Sequence, residues 1–218
     1  MLIDLKRRII FIAGLKTGST TIERLFAKQV DIRITRSEWG KHHGVRQVCD
    51  RYSWIFDIHP LEDFYIWGVI REPKDWLLSL YRSHQHEKFK NKPTLYTGNM
   101  NFREFFRDWR GANKRQSALQ RDRFLKNDEL CVHHIIPFCR LNEGVRRMAP
   151  LYDVELSQVP NLNKSPQADV LGQIDEETEL EIEKIYKADF ALYNAAVVGF
   201  NKVVASDDVR PTAFWNYG

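Results

Sequence analysis

No stretch of the 218 residues approaches the run of ~20 apolar positions that a membrane-spanning helix needs, so no membrane span is expected. Cysteine is scarce: Cys49, Cys131 and Cys139 are odd in number and lack C-x-x-C spacing, which argues against a disulfide framework and suits a reducing compartment. The cytoplasm is the expected location. The opening segment MLIDLKRRIIFIAG carries charges at Asp4, Lys6, Arg7 and Arg8 and runs into a glycine without a small-residue cleavage site, so no signal peptide is read. With only 11 glycines and 8 prolines, and neither repeats nor Ser/Gly linkers, collagenous and disordered classes are excluded. What remains is 43% hydrophobic and 12% aromatic, enough to bury the core of one globular domain.

A strong overall charge is lacking too, the formal net being +4, but its distribution is uneven. Between Arg82 and Lys126 twelve Lys and Arg face four Asp and Glu, which leaves the rest of the chain net acidic. That surplus suits an anionic ligand, and it equally suits a solvated helix-and-loop face. No nucleic-acid partner is read from it.

Residues 8–13, RIIFIA, form a continuous apolar run of the kind found in buried parallel strands. A glycine loop follows, then a helix in which Ser19, Thr20 and Thr21 suit the N-cap and first turn while Ile22, Leu25 and Phe26 recur at i, i+3 and i+4. A second strand–turn–helix unit runs from FYIWGVI at 64–70 through Arg71 and Glu72 to Pro73 at the first helical position, ahead of Trp76, Leu77, Leu80 and Tyr81. Residues 132–138 predict a short strand and 141–151 a helix. Asp175 predicts the N-cap of one long C-terminal helix, with acids early, Lys184 and Lys187 later, and Ile182, Ile185, Tyr186 and Asp189 on one face. Strands alternating with helices imply an α/β fold, a P-loop-like central parallel sheet flanked by helices. A single domain over 1–204 and an irregular tail over 205–218 are expected.

A loop leading from a buried strand into a helix presents unpaired amides and the positive end of the helix dipole to an anion. Gly14-Leu15-Lys16-Thr17-Gly18-Ser19-Thr20-Thr21 adds a lysine and four hydroxyls to that context. The bland alternative is an ordinary turn with Ser19 capping the helix. In a nucleoside triphosphate P-loop, G-x-x-x-x-G-K-[ST], the lysine follows the second glycine; here Lys16 precedes Gly18, and the strand at 64–70 ends at Arg71 instead of a magnesium-holding acid.

Lys16-Thr17-Gly18-Ser19-Thr20-Thr21 resembles the 5'-phosphosulfate loop of sulfotransferases that use 3'-phosphoadenosine 5'-phosphosulfate (PAPS), with Leu15 where a proline is usual. Arg71-Glu72-Pro73, with Ser79 eight residues after the arginine, resembles that family's 3'-phosphate element. An arginine at a strand's carboxyl end can fork onto a phosphate, and a serine two turns into the next helix can donate from the same side. Lys41-His42, Asn163-Lys164-Ser165 and Asp189-Phe190 resemble segments of the carbohydrate, heparan-type branch, so the resemblance spans residues 8–193. Cys139 departs from it, since a glutamate commonly follows the phenylalanine at the Phe138 position. The resemblance implies PAPS as donor and 3'-phosphoadenosine 5'-phosphate (PAP) as product. It implies no metal, and a glycan or small-molecule hydroxyl as acceptor.

Sulfuryl transfer is an in-line displacement, so the protein positions two partners and stabilises the leaving oxygen, a role for Lys16. The acceptor hydroxyl needs a proton acceptor near neutral pH. Of seven histidines, His42 has the context that resembles the catalytic side, with His43, another histidine or a carboxylate as alternatives. His133 and His134 fall on opposite faces of a predicted strand with no cysteine or carboxylate cluster beside them, which disfavours a metal site. Trp39, Trp54, Trp67, Trp76 and Trp109 are read chiefly as core. The competing readings are a P-loop phosphotransferase and an inactive nucleotide-binding module of the same fold.

Overall fold

The structure, a computed structural model, describes residues 1–35, 37–38, 40–156 and 174–203, the last three as backbone alone. The apolar run at 8–13 becomes strand β2 (Ile9–Ile12), buried throughout. A hairpin places β1 (Leu2–Asp4) antiparallel beside it, and β3 (Ile32–Arg33) pairs antiparallel with β1. On the other side β4 (Tyr65–Ile70) and β7 (His134–Pro137) add in parallel, with Ile9 opposite Tyr65 and Trp67 opposite His134. The order is β3-β1-β2-β4-β7, so the expected parallel sheet holds at the centre and is mixed at the β1 edge. Strand β1 is hidden in the sequence because Asp4, Lys6, Arg7 and Arg8 give it a solvated look. Its Asp4 is in fact fully buried, accepting from the Arg7 amide at 2.8 Å and guanidinium at 2.7 Å, which closes the hairpin.

Helix α1 (Ser19–Phe26) follows β2; α2 (Val45–Arg51) and α3 (Trp54–Ile58) precede β4; α4 (Pro73–His84) follows it. Short helices α5 (Phe102–Glu104) and α6 (Arg110–Ala112) flank a π-helical turn over Phe105–Trp109. The small hairpin of β5 (Leu125–Lys126) and β6 (Glu129–Leu130) leads to β7, α7 (Leu141–Met148), α8 (Glu176–Ile185) and α9 (Lys187–Val203). Helix α7 tightens into a 3₁₀ turn over Ala149–Tyr152, where Pro150 has no amide to continue the α pattern. The main core packs on the sheet, and a second cluster joins Trp76, Leu80, Phe105, Trp109, Ile182 and Tyr186.

Asp175 caps α8 by accepting from the Thr178 amide at 2.9 Å, as its position predicts. The single long C-terminal helix is not observed: the chain breaks at Tyr186 (φ −98°, ψ 20°). Tyr186 donates its hydroxyl to the Ser117 carbonyl at 2.7 Å, and the turn aims Asp189 at the amides of Gln120 and Arg121. Ile185 leaves the shared face and is 39% exposed, whereas Ile182, Tyr186 and Asp189 are fully buried. Helix α8 also takes up part of the basic surplus, since Arg103 meets Glu177 and Arg107 meets Glu177 and Glu181 at 2.7 and 2.9 Å; it pairs outside that stretch with Lys74, which meets Glu183 at 2.9 Å. The tail at 205–218 lies outside the described residues. Among the described residues no helix is long and apolar enough to cross a membrane.

Candidate functional site

The carboxyl ends of β2 and β4 point the same way, which brings the loops after them together. Lys16 (φ 61°) and Gly18 (φ 74°) are both left-handed, a strained state for the lysine and an easy one for the glycine. A side chain at Gly18 would also collide, its Cβ standing 2.7 Å from Leu141 Cδ2. Gly18, not Ser19, is the N-cap of α1, and no side chain caps the helix. Ser19, Thr20 and Thr21 therefore sit within the first turn, whose uncapped amide end is the chemical setting for an anion. Two carbonyls of the loop are held by the second unit: Trp76 Nε1 donates to Leu15 O at 2.8 Å and Arg71 Nη1 to Lys16 O at 3.4 Å.

Glu72 caps α4 by accepting from the Asp75 amide at 2.7 Å, and Pro73 opens the helix as expected. The Arg71 guanidinium lies 4.5 Å above the ring of Phe138, the ring a Cβ on Gly18 would approach to 3.4 Å, so both units meet at one aromatic face. Thr17 Oγ1, Arg71 Nε and Ser79 Oγ are buried with no hydrogen-bond partner. Buried polar atoms are nearly always paired; among the described residues Gln29 Oε1, His134 Nε2 and Arg147 Nη1 are unpaired elsewhere, but only here do three such atoms fall on two adjoining strand–turn–helix units, where each is free to meet a polar ligand. The same place concentrates positive charge. Burial, Arg71 and Lys88 push the Lys16 ammonium down; burial also depresses Arg71, offset in part by Asp75, whose Oδ2 lies 4.0 Å from Nη2, and by Glu72, with Arg82 adding repulsion.

His42 reaches the same strand end from the loop before α2, its Nδ1 2.9 Å from Ala13 O. A carbonyl only accepts, so Nδ1 carries the proton and Nε2 is left as acceptor. Burial lowers the His42 pKa to about 3, partly offset by the Ala13 bond, so the ring is neutral at pH 7. Lys41 beside it reaches Thr20 Oγ1 at 3.4 Å and the buried Glu23 at 3.3 Å. The other histidines are engaged structurally. His43 Nε2 lies 3.0 Å from Gly40 O, His84 sits between Phe89 and Trp109, and His133 accepts from the Ile66 amide at 3.0 Å. His134 faces Phe200 on the opposite side of the strand.

The loop, the arginine after β4 and the orphaned hydroxyls form one constellation, and the family model described as "Sulfotransferase family" matches residues 1–195. The chain belongs to the sulfotransferase family. No curated protein and no solved structure matches it. Membership supports sulfuryl transfer in general, with a hydroxyl-bearing acceptor.

In this sulfotransferase, Lys16, Thr17, Gly18, Ser19, Thr20 and Thr21 follow β2, Arg71 follows β4 and reaches the Lys16 carbonyl, His42 reaches the Ala13 carbonyl just past β2, and Ser79 lies buried two turns into α4. Asn163, Lys164 and Ser165 lie outside the described residues, as does Trp39. Among the described residues no group of three His, Cys, Asp or Glu is placed to hold a metal ion. Cys139, the departure noted in sequence, is exposed. Trp76, expected in the core, is buried and its indole also fixes the glycine loop, whereas Trp54, expected there too, is 49% exposed. Gln120 was not singled out, yet it holds both backbone groups of Arg71. A buried glutamine in a basic, polar stretch leaves no periodic or motif signal.

Proposed function

We propose that this sulfotransferase takes its sulfuryl group from PAPS, releases PAP, and passes the group to a hydroxyl, with a carbohydrate as the acceptor class. The observation that carries the reading is the coincidence of Thr17 Oγ1, Arg71 Nε and Ser79 Oγ, all buried and unpaired, on the two units that resemble 5'- and 3'-phosphate elements. The first-turn amides with Thr17 through Thr21 would hold the 5'-phosphosulfate. Arg71 and Ser79 would hold the 3'-phosphate through charge-assisted bonds. The donor, when bound, supplies an activated sulfuryl group. Lys16 would stabilise the charge that collects on the departing phosphate oxygen as the bond to sulfur breaks.

His42 Nε2 would take the acceptor proton as the hydroxyl oxygen attacks sulfur. A neutral imidazole is in the right protonation state, and its low basicity in the free protein is corrected by an anionic donor alongside, which favours the imidazolium. The carbohydrate class rests on the resemblance of Lys41-His42, Asn163-Lys164-Ser165 and Asp189-Phe190 to that branch. The deciding experiment is a melting-temperature comparison. PAP without metal should stabilise the protein, and ATP with magnesium should do so poorly. Equal stabilisation by ATP, dependent on magnesium, would overturn the reading in favour of a phosphotransferase.

A further inference from the structure

Residues 120–124 touch both halves of the site from behind. Gln120 grips the backbone of Arg71 twice: the Arg71 amide donates to Oε1 at 3.1 Å, and Nε2 donates to the Arg71 carbonyl at 2.8 Å. Three residues on, Arg123 Nη1 donates to the carbonyl of His42 at 2.7 Å. The segment is itself anchored, since Asp189 accepts from the amides of Gln120 and Arg121, each at 2.8 Å. Its packing is close as well as bonded. A Cβ on Gly44 would stand 2.9 Å from both the Cα and the carbonyl oxygen of Arg123, so the His42 loop is pressed onto this turn.

We propose that Gln120 and Arg123 are positioning residues of the transfer reaction, through which one short turn anchored on Asp189 sets Arg71 for the donor and His42 for the acceptor in a common register. The inference rests on the PAPS reading above and assigns two residues that neither motif contains. Gln120 is 4% exposed and commits its acceptor and one donor to a single residue's backbone, the way to stop a peptide at a strand end from swinging. Arg123 is a costly choice for that task. Burial pushes its guanidinium down to about 10, and an apolar side chain would fill the space without that desolvation. Its bond to the His42 carbonyl holds the backbone from which the ring reaches Ala13. The two residues therefore separate in effect: Gln120 governs donor affinity, and Arg123 governs turnover.

The test uses the full chain with PAP, adenosine 5'-monophosphate and a turnover assay. Gln120→Met keeps the volume and loses both bonds; the Kd for PAP should rise about tenfold while that for adenosine 5'-monophosphate changes little. Arg123→Met should lower kcat about tenfold with PAP affinity intact, and Arg123→Lys, which restores one donor, should recover most of it. Amide exchange in the ligand-free protein reads the bracing directly. Protection should fall at Arg71 in Gln120→Met and at residues 42–44 in Arg123→Met. Unchanged exchange in both, or equal weakening of both nucleotides in both variants, overturns the proposal. A wild-type protein that binds PAP no more tightly than adenosine 5'-monophosphate would instead sink the donor reading, leaving the exchange result to judge the bracing.

Discussion

Replacing Ser79 by alanine should stabilise the free protein and weaken the bound one. In the free state Ser79 Oγ is buried without a partner on α4, a residue 3% exposed. A buried hydroxyl left unsatisfied costs about 1–3 kcal/mol, and alanine is also the better helix former. A net gain near ~1 kcal/mol would raise the melting temperature of a chain this size by about 2–4 °C. With PAP bound the same hydroxyl would donate to a phosphate, a bond to a charged group worth about 1.5–3 kcal/mol, so Ser79→Ala should weaken PAP roughly ten- to a hundredfold. Calorimetric melts of both proteins, with and without PAP, measure the two effects together. The opposite signs are the diagnostic feature. A lower melting temperature for the free variant would mean that the hydroxyl has a partner within the protein, and unchanged PAP affinity would remove Ser79 from the nucleotide site.

Arg71→Ala should weaken PAP strongly and adenosine 5'-phosphosulfate barely, because only the former carries the 3'-phosphate; equal losses, read by calorimetric titration, would assign Arg71 to the fold. Lys16→Ala should lower kcat more than donor affinity, since its bond strengthens as the leaving oxygen gains charge, and a purely affinity-based loss would refute that role. His42→Ala should cut turnover by roughly 10²- to 10⁴-fold with PAP affinity nearly intact, and in the parent enzyme the acid limb of kcat/KM for the donor should fall below the ordinary imidazole range while that of kcat lies higher; near-normal turnover would move the base elsewhere. Stability should fall in acid. His42 and His134 are held by burial at about 3 and about 4, so unfolding takes up protons as pH drops through 6.5, whereas Asp189, pushed up to about 6, contributes the opposite sign, lost as pH rises through 6. Burial also holds down His43, His84 and His133, while Glu72 and Asp122 are pushed up like Asp189, so the depressed histidines outnumber the raised acids and the balance falls towards acid; a flat denaturant-midpoint profile from pH 6.5 to 4.5 would refute it.

The two strand–turn–helix units proposed to hold the donor were legible because their signals are local. An isoleucine-rich run must be buried on both faces, the glycine loop must follow it, and Arg71 and Ser79 are fixed eight residues apart by one strand end and one helix. The His42 loop was read from sequence context, and in the structure His42 Nδ1 lies 2.9 Å from the Ala13 carbonyl just past β2. What escaped was decided by partners distant in the chain. Strand β1 is three residues long, and its acid looks exposed until Arg7 closes on it. The break at Tyr186 has no proline or glycine to announce it; it arises because Tyr186 must reach Ser117 and Asp189 must reach Gln120, both across 69 residues. Trp76 and Gln120 were unreadable as site residues for the same reason, since their bonds to Leu15 and Arg71 are made by tertiary contact.

Charge shows the same division between composition and placement. The basic surplus of residues 82–126 suggested an anion-seeking face, yet Arg103 and Arg107 spend themselves on Glu177 and Glu181, seventy-odd positions later, in exposed pairs that screening makes weak. The cations with leverage over a phosphate are fewer and lie elsewhere. Lys16 and Arg71 are depressed chiefly by burial, so they sit where an ionic contact is screened least and where a negative ligand relieves their repulsion. The anion affinity proposed for the site would therefore come from two desolvated cations, three unpaired polar atoms and one uncapped helix end, not from the number of lysines and arginines in the chain.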